Sequence, residues 1–188
     1  MERDHKAYIE TFTGKKFWPL QPLASEIDLI DMVHAVSLEC RYGGHVKHMW
    51  SVGQHLLAVL QYLRMGRHST YIQFLGVTHD LEEGYLKDIP KPIKDCMPEF
   101  ERAGKVLQDM IWHEYFGIRK PTEQELAILK RADREVLYCE AHYLEVNKTR
   151  WIPHYTAFDY EFEERMTSEV KKELLMEIKQ LHRQASLA

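Results

Sequence analysis

The chain has 188 residues, 45% of them hydrophobic and 29% charged, with a formal net charge of −4 at pH 7. This is enough for one domain with a sizeable core and short for two, and the charge creates no global positive field to recruit nucleic acid polymers or an acidic membrane. The cysteines Cys40, Cys96 and Cys139 form no CxxC pair, the charged start MERDHKAYIE lacks the apolar run of a signal peptide, and no stretch is apolar enough to span a membrane, so a reducing, cytoplasmic setting is expected.

Residues 1–24 read as an extended arm, since TFTGKKFWPLQPL holds two prolines, a glycine and no sustained period. Residues 25–188 read as one all-α core. Ser25 with Asp28 resembles a capping box opening a first helix, with Ile27, Ile30, Val33, Ser37 and Leu38 near one stripe and a stop at Gly43-Gly44. Ser51 with Gln54 is a second capping box, opening a helix with Val52, Leu56, Val59, Leu60 and Leu63 on its apolar face. STYIQFLGVTHDLEEGYL reads as a third, central helix, broken by Pro90 and Pro92. A fourth runs through PEFERAGKVLQDMIWHEYFG, with Phe100, Ala103, Val106, Leu107, Met110 and Ile111 inward and Gly117 as its stop. Thr122 with Glu125 caps a fifth, running to about Asn147. A loop with Trp151 and Pro153 follows, and then a charged helix from about Asp159 to the end, read as a solvated face or a dimer contact.

Eleven histidines are scattered along the chain. Within the third helix, His79 and Glu83 are four residues apart and project from one face, and the adjacent Asp80 reaches round to the same site. Buried among Phe74, Leu75, Val77 and Leu81, such groups are costly without a compensating partner, which a divalent cation, an arginine or a hydrogen-bond network would supply. The second helix puts His55 on or beside its apolar stripe, and the fifth puts Asp133 between Leu129 and Val136, with Glu140 two turns along the same face. Two imidazoles and two carboxylates suit one divalent transition metal, Mn, Co, Zn, Fe or Ni, and ligand type does not choose among them.

His55, the pair His79-Asp80 and Asp133 resemble the H…HD…D signature of the HD-domain metal-dependent phosphohydrolases. CRYGGHVKHMWSVGQH, HDLEEGYLKDIPKPIK and KRADREVLYCEA extend the likeness to the bacterial 5′-deoxynucleotidases and the short HD hydrolases of phages and prophages, over roughly residues 13–145. The resemblance implies a helical bundle in which His55, His79, Asp80 and Asp133 hold one metal. It implies that Glu83 positions or deprotonates a water, and that Asp88 orients the attacking water or the leaving group. Arg41 matches a phosphate contact, Tyr42 stands where relatives carry a tryptophan packed on the sugar, and Pro92 lies where the turn approaches the base. Lys91 and Lys94 are positioned to neutralise phosphate. The implied activity is a 5′-nucleotidase acting on 2′-deoxynucleoside monophosphates. A triphosphohydrolase of deoxynucleoside triphosphates and a catalytically inactive nucleotide-binding module are the alternatives, and a homodimer is expected. Guanosine tetraphosphate hydrolysis fits less well, because that branch resembles HDxxED and Gly84 occupies its last position.

Overall fold

The computed structural model describes residues 7–152 and 154–185. Residues 1–6 of the expected arm, Pro153 of the loop and residues 186–188 of the final helix lie outside the described residues. Helices dominate, and the expected all-α class holds.

The arm is more ordered than its composition suggests. Strands β1 (Ile9–Glu10) and β2 (Lys16–Phe17) pair antiparallel as a minimal hairpin. Thr13 at its tip bonds Asp31 through both its N–H and its hydroxyl, at 2.7 and 2.8 Å. Phe17 is fully buried and stacks on Tyr85 with ring centroids 3.8 Å apart. One aromatic anchor and one buried carboxylate therefore dock the arm on the body.

Helix α1 (Leu29–Leu38) starts later than expected. Asp28, rather than Ser25, is its cap, accepting from the Ile30 N–H at 2.8 Å, while residues 24–26 form a separate tight turn. It also ends sooner, at Leu38. Arg41–Gly44 are a distinct turn in which Tyr42 and Gly43 take positive φ of 58° and 60°. Helix α2 (Val52–Met65) has the predicted capping box, Ser51 with Gln54, and is buried over its whole first half.

The expected third helix is broken. Helix α3 (Thr70–Thr78) stops just before His79, and the chain re-forms one turn as α4 (Glu83–Leu86). The cause comes from a distant segment. Gln108 Nε2 donates to the Thr78 carbonyl at 3.0 Å and Trp112 Nε1 donates to the Thr78 hydroxyl at 2.9 Å. Residues 78–84 then tighten into i to i+3 hydrogen bonds, Leu81 to Thr78 and Glu83 to Asp80 among them. Glycine at 84 lets α4 lie close on α1, since a Cβ there would sit 3.1 Å from the Met32 carbonyl oxygen.

The single turn α5 (Lys91–Lys94) carries Pro92, and α6 (Pro98–Met110) runs on through a wider turn over Ile111–Tyr115 to Gly117 at φ 67°. Val106 points outward at 51% exposure, against expectation. Helix α7 (Glu123–Tyr143) has the predicted Thr122–Glu125 capping box. Helix α8 (Thr167–Ala185) corrects the reading of a solvated final face: Val170, Leu174, Ile178 and Leu181 are buried, and the helix packs on α1 and α3. Its charges occupy only the outer side of an amphipathic helix. No helix among the described residues is long and apolar enough to cross a membrane.

Candidate metal centre

Three segments converge on one point. α2 supplies His55, the turn after α3 supplies His79 and Asp80, and α7 supplies Asp133. Metal-ligating atoms of His55, His79 and Asp80 lie within 4.8 Å of one another. Asp133 Oδ1 stands 3.2 Å from His55 Nε2 and 3.7 Å from His79 Nε2, and Asp80 Oδ2 stands 3.8 and 3.3 Å from the same two atoms. All four residues expected as ligands are thus brought together.

The imidazoles are held in one orientation. His55 Nδ1 lies 2.7 Å from Glu140 Oε1 and His79 Nδ1 lies 2.9 Å from the Gly76 carbonyl oxygen. Both partners are acceptors, which assigns the ring proton of a neutral imidazole to Nδ1 and leaves the Nε2 lone pair facing inward. Both Nε2 atoms are buried and make no hydrogen bond. Two buried nitrogen lone pairs beside two carboxylates fit a divalent cation, and the group is too polar to be left unsatisfied cheaply.

The electrostatics point the same way. Burial opposes the charge on His79, yet Asp80 and Asp133 outweigh it and raise its pKa to about 9. Burial likewise disfavours the Asp133 carboxylate, and the two imidazoles hold it well below its ordinary range. Positive charge at this point is what the surrounding groups stabilise.

Behind His55 lies Glu140, completely buried. Its Oε1 accepts from Trp50 Nε1 at 2.9 Å as well as facing His55, and its Oε2 accepts from the Tyr42 hydroxyl at 3.1 Å and faces Arg41 Nε at 3.3 Å. Burial penalises its charge, but His55 and Arg41 bring its pKa below the usual value. The left-handed turn at Tyr42 and Gly43 aims both Arg41 and Tyr42 at this carboxylate. Arg41 is 8% exposed and also faces Asp80 at 3.8 Å, which places a buried guanidinium beside the candidate centre.

The centre opens into a cavity of about 1380 Å³. Glu83 lines it, nearly buried, with Oε1 accepting from Lys94 Nζ at 2.9 Å and Oε2 unbonded. Burial, then Asp80 and Asp88, push its pKa to about 7 against the pull of Lys94 and Arg41. Asp88 also lines the cavity, and burial raises its pKa. Tyr42, Pro92 and Lys91 reach the same wall, although Lys91 is exposed at the rim and paired with Asp95 at 2.9 Å. Pro90 approaches the bare Cα face of Gly43, where a Cβ would lie 3.7 Å from its Cγ. Glu82, an acid without an expected role, lines the cavity too, and burial with the neighbouring Asp80 and Glu83 raises its pKa well above the ordinary value.

Trp50, Gln108 and Trp112 support the centre without having been expected to. Gln108 left a trace in the sequence, an amide directly after Leu107 on the inner face of α6. Nothing in the sequence marks Trp50 as a partner of Glu140.

No family model matches the chain. Over 109 residues it is 30% identical to an uncharacterised protein, YfdR, of Escherichia coli strain K12. The matched stretch covers 58% of this chain and 58% of that protein, so the likeness spans little more than half the length of either.

Proposed function

We propose that the protein is an HD-type phosphohydrolase that removes the 5′-phosphate from 2′-deoxynucleoside monophosphates. The observation carrying this reading is the convergence of two buried, unbonded imidazole nitrogens with Asp80 and Asp133 beside a cavity with ample room for a nucleotide. His55, His79, Asp80 and Asp133 would hold one divalent metal, which withdraws charge from a phosphoryl oxygen and makes water more acidic. Arg41, fixed by Glu140, orients the phosphate with its remaining N–H groups. Glu83 has a pKa matched to neutral pH and takes the proton of the attacking water. Lys94 holds Glu83 in place, and Asp88 faces the same space, where it guides the water or the leaving oxygen.

The charge of the cavity wall favours a monophosphate over a triphosphate. Its cationic side chains are Arg41, Lys87, Lys91, Lys94 and Lys105. Each faces a carboxylate already: Glu140, Glu39, Asp95, Glu83 and Glu101, respectively. A triphosphate would need several unpaired cations.

The test is a screen of deoxy- and ribonucleotides at each level of phosphorylation, with Mn²⁺, Co²⁺ or Mg²⁺, separating phosphate from triphosphate. Inorganic phosphate from deoxynucleoside monophosphates is the expected product. Triphosphate released from deoxynucleoside triphosphates would favour the alternative chemistry, and no turnover on any nucleotide would leave a binding module.

Lys94 gives a pH test of the base. Its positive charge lowers the Glu83 pKa, so Lys94→Met raises it. The acidic limb of kcat/KM, where Glu83 is protonated and idle, is expected to move to higher pH, with turnover falling most below neutrality. A pH profile superimposable on wild type would remove Glu83 from the role of base.

A further inference from the structure

One wall of the cavity takes no part in this chemistry. It is built by the loop after α7. Asn147 clamps that loop, its Oδ1 accepting from the Ile152 N–H at 3.0 Å and its Nδ2 donating to the Ile152 carbonyl at 2.8 Å. The Arg150 N–H closes back on the Asn147 carbonyl at 2.9 Å, with Arg150 itself at a positive φ of 55°. Ile152 is buried and pins the end of the loop. Between these fixed points stands Trp151. Its indole N–H donates to the Val146 carbonyl at 3.0 Å, which fixes the ring. The residue is nonetheless 52% exposed, and it lines the same cavity as His79, Asp80 and Asp133. Leu137, one turn beyond Asp133 on α7, also lines the cavity.

A tightly clamped loop that leaves half of a tryptophan uncovered does little for the core. It presents a flat, rigid, apolar face at little entropic cost. We propose that Trp151 is the stacking platform for the nucleobase of the substrate. This rests on the reading of the centre as a nucleotide phosphatase: with the phosphate at the His79–Asp80 end, the planar part of the molecule extends along the cavity to a planar wall. The indole has no hydrogen-bonding group left, so the platform selects flatness and not base identity. Every base has a π face, and stacking on an aromatic side chain is tolerant of sequence.

Wild type, Trp151→Phe and Trp151→Ala are to be compared, with Mn²⁺ present, on the deoxynucleoside 5′-monophosphates and on base-free 2-deoxyribose 5-phosphate. Trp151→Ala is expected to raise KM for the nucleotides roughly 5- to 150-fold, the range a lost stacking contact gives. kcat and the base-free ester should be unaffected, and Trp151→Phe should recover most of the loss. An equal loss on nucleotide and base-free ester, or no change in KM, overturns the proposal. A second measurement separates this from failure of the phosphatase reading. Deoxyadenosine, which has no phosphate, is titrated against the tryptophan fluorescence of wild type and Trp151→Phe. Quenching that disappears in Trp151→Phe supports the platform even if no ester is cleaved, and identical titrations refute it.

Discussion

Asp80→Ala and His79→Ala are each expected to lower nucleotide hydrolysis about a thousandfold or more while leaving the helical fold in place. The magnitude follows from the several kcal/mol of charge stabilisation that a bound cation gives a phosphoryl transition state, at about 1.4 kcal/mol per factor of ten. The fold should survive because neither side chain carries core packing: that of Asp80 is 21% exposed and that of His79 is 10% exposed, and the helices on either side are anchored by Phe74, Leu75 and Val77 on α3 and by Tyr85 and Leu86 on α4. Metal content measured on the purified variants should fall with activity. Unchanged hydrolysis together with unchanged metal content would falsify the assignment of the centre.

Glu140→Ala is expected to act mainly through stability. The carboxylate is completely buried and serves Arg41, Tyr42, Trp50 and His55 together. Its removal strands a buried guanidinium, at a cost of about 3–5 kcal/mol. Glu140→Gln fares little better, because whichever end carries the NH₂ meets donors: Trp50 and His55 on one side, Tyr42 and Arg41 on the other. In Glu140→Ala protein that still folds, His55 Nδ1 has lost its acceptor, and metal affinity should drop about 10- to 100-fold. The pH dependence has a definite sign. The folded pKa of Glu140 is depressed, so its stabilisation is complete above the ordinary glutamate value of 4.5 and is lost as pH falls through the folded one. Urea midpoints of wild type and Glu140→Gln should therefore converge on acidification. A constant gap between pH 7 and pH 3 would show that the carboxylate charge is not what stabilises the network.

Local signals in the sequence read well, and distant partners read poorly. The capping boxes at Ser51 and Thr122 depend only on residues three apart, and both stand as expected. The helical period marked His55, His79, Asp80 and Asp133 as ligand-type side chains where hydrophobes are called for, and the resemblance to the H…HD…D signature implied that the four meet. The break after Thr78 was not legible, since Gln108 and Trp112 cause it from thirty or more residues along the chain. The burial of α8 was present in the spacing of Val170, Leu174, Ile178 and Leu181, but the density of charge between them hid it. Phe17 offered no periodic signal, because a single aromatic stacked on Tyr85 needs none.

The position of α8 also bears on how the molecule comes to be assembled. It is the last of the described elements, yet it packs on α3, the helix that delivers His79. Contacts between segments far apart in the chain slow folding more than they cost stability, because loop-closure entropy grows only slowly with length. Phe74 of α3 stacks on His182 of α8, so during synthesis this side of α3 lacks its final cover until α8 emerges. The candidate centre is therefore among the last parts of the domain to gain its final geometry, and the interval before α8 arrives is when the nascent chain is most exposed to aggregation.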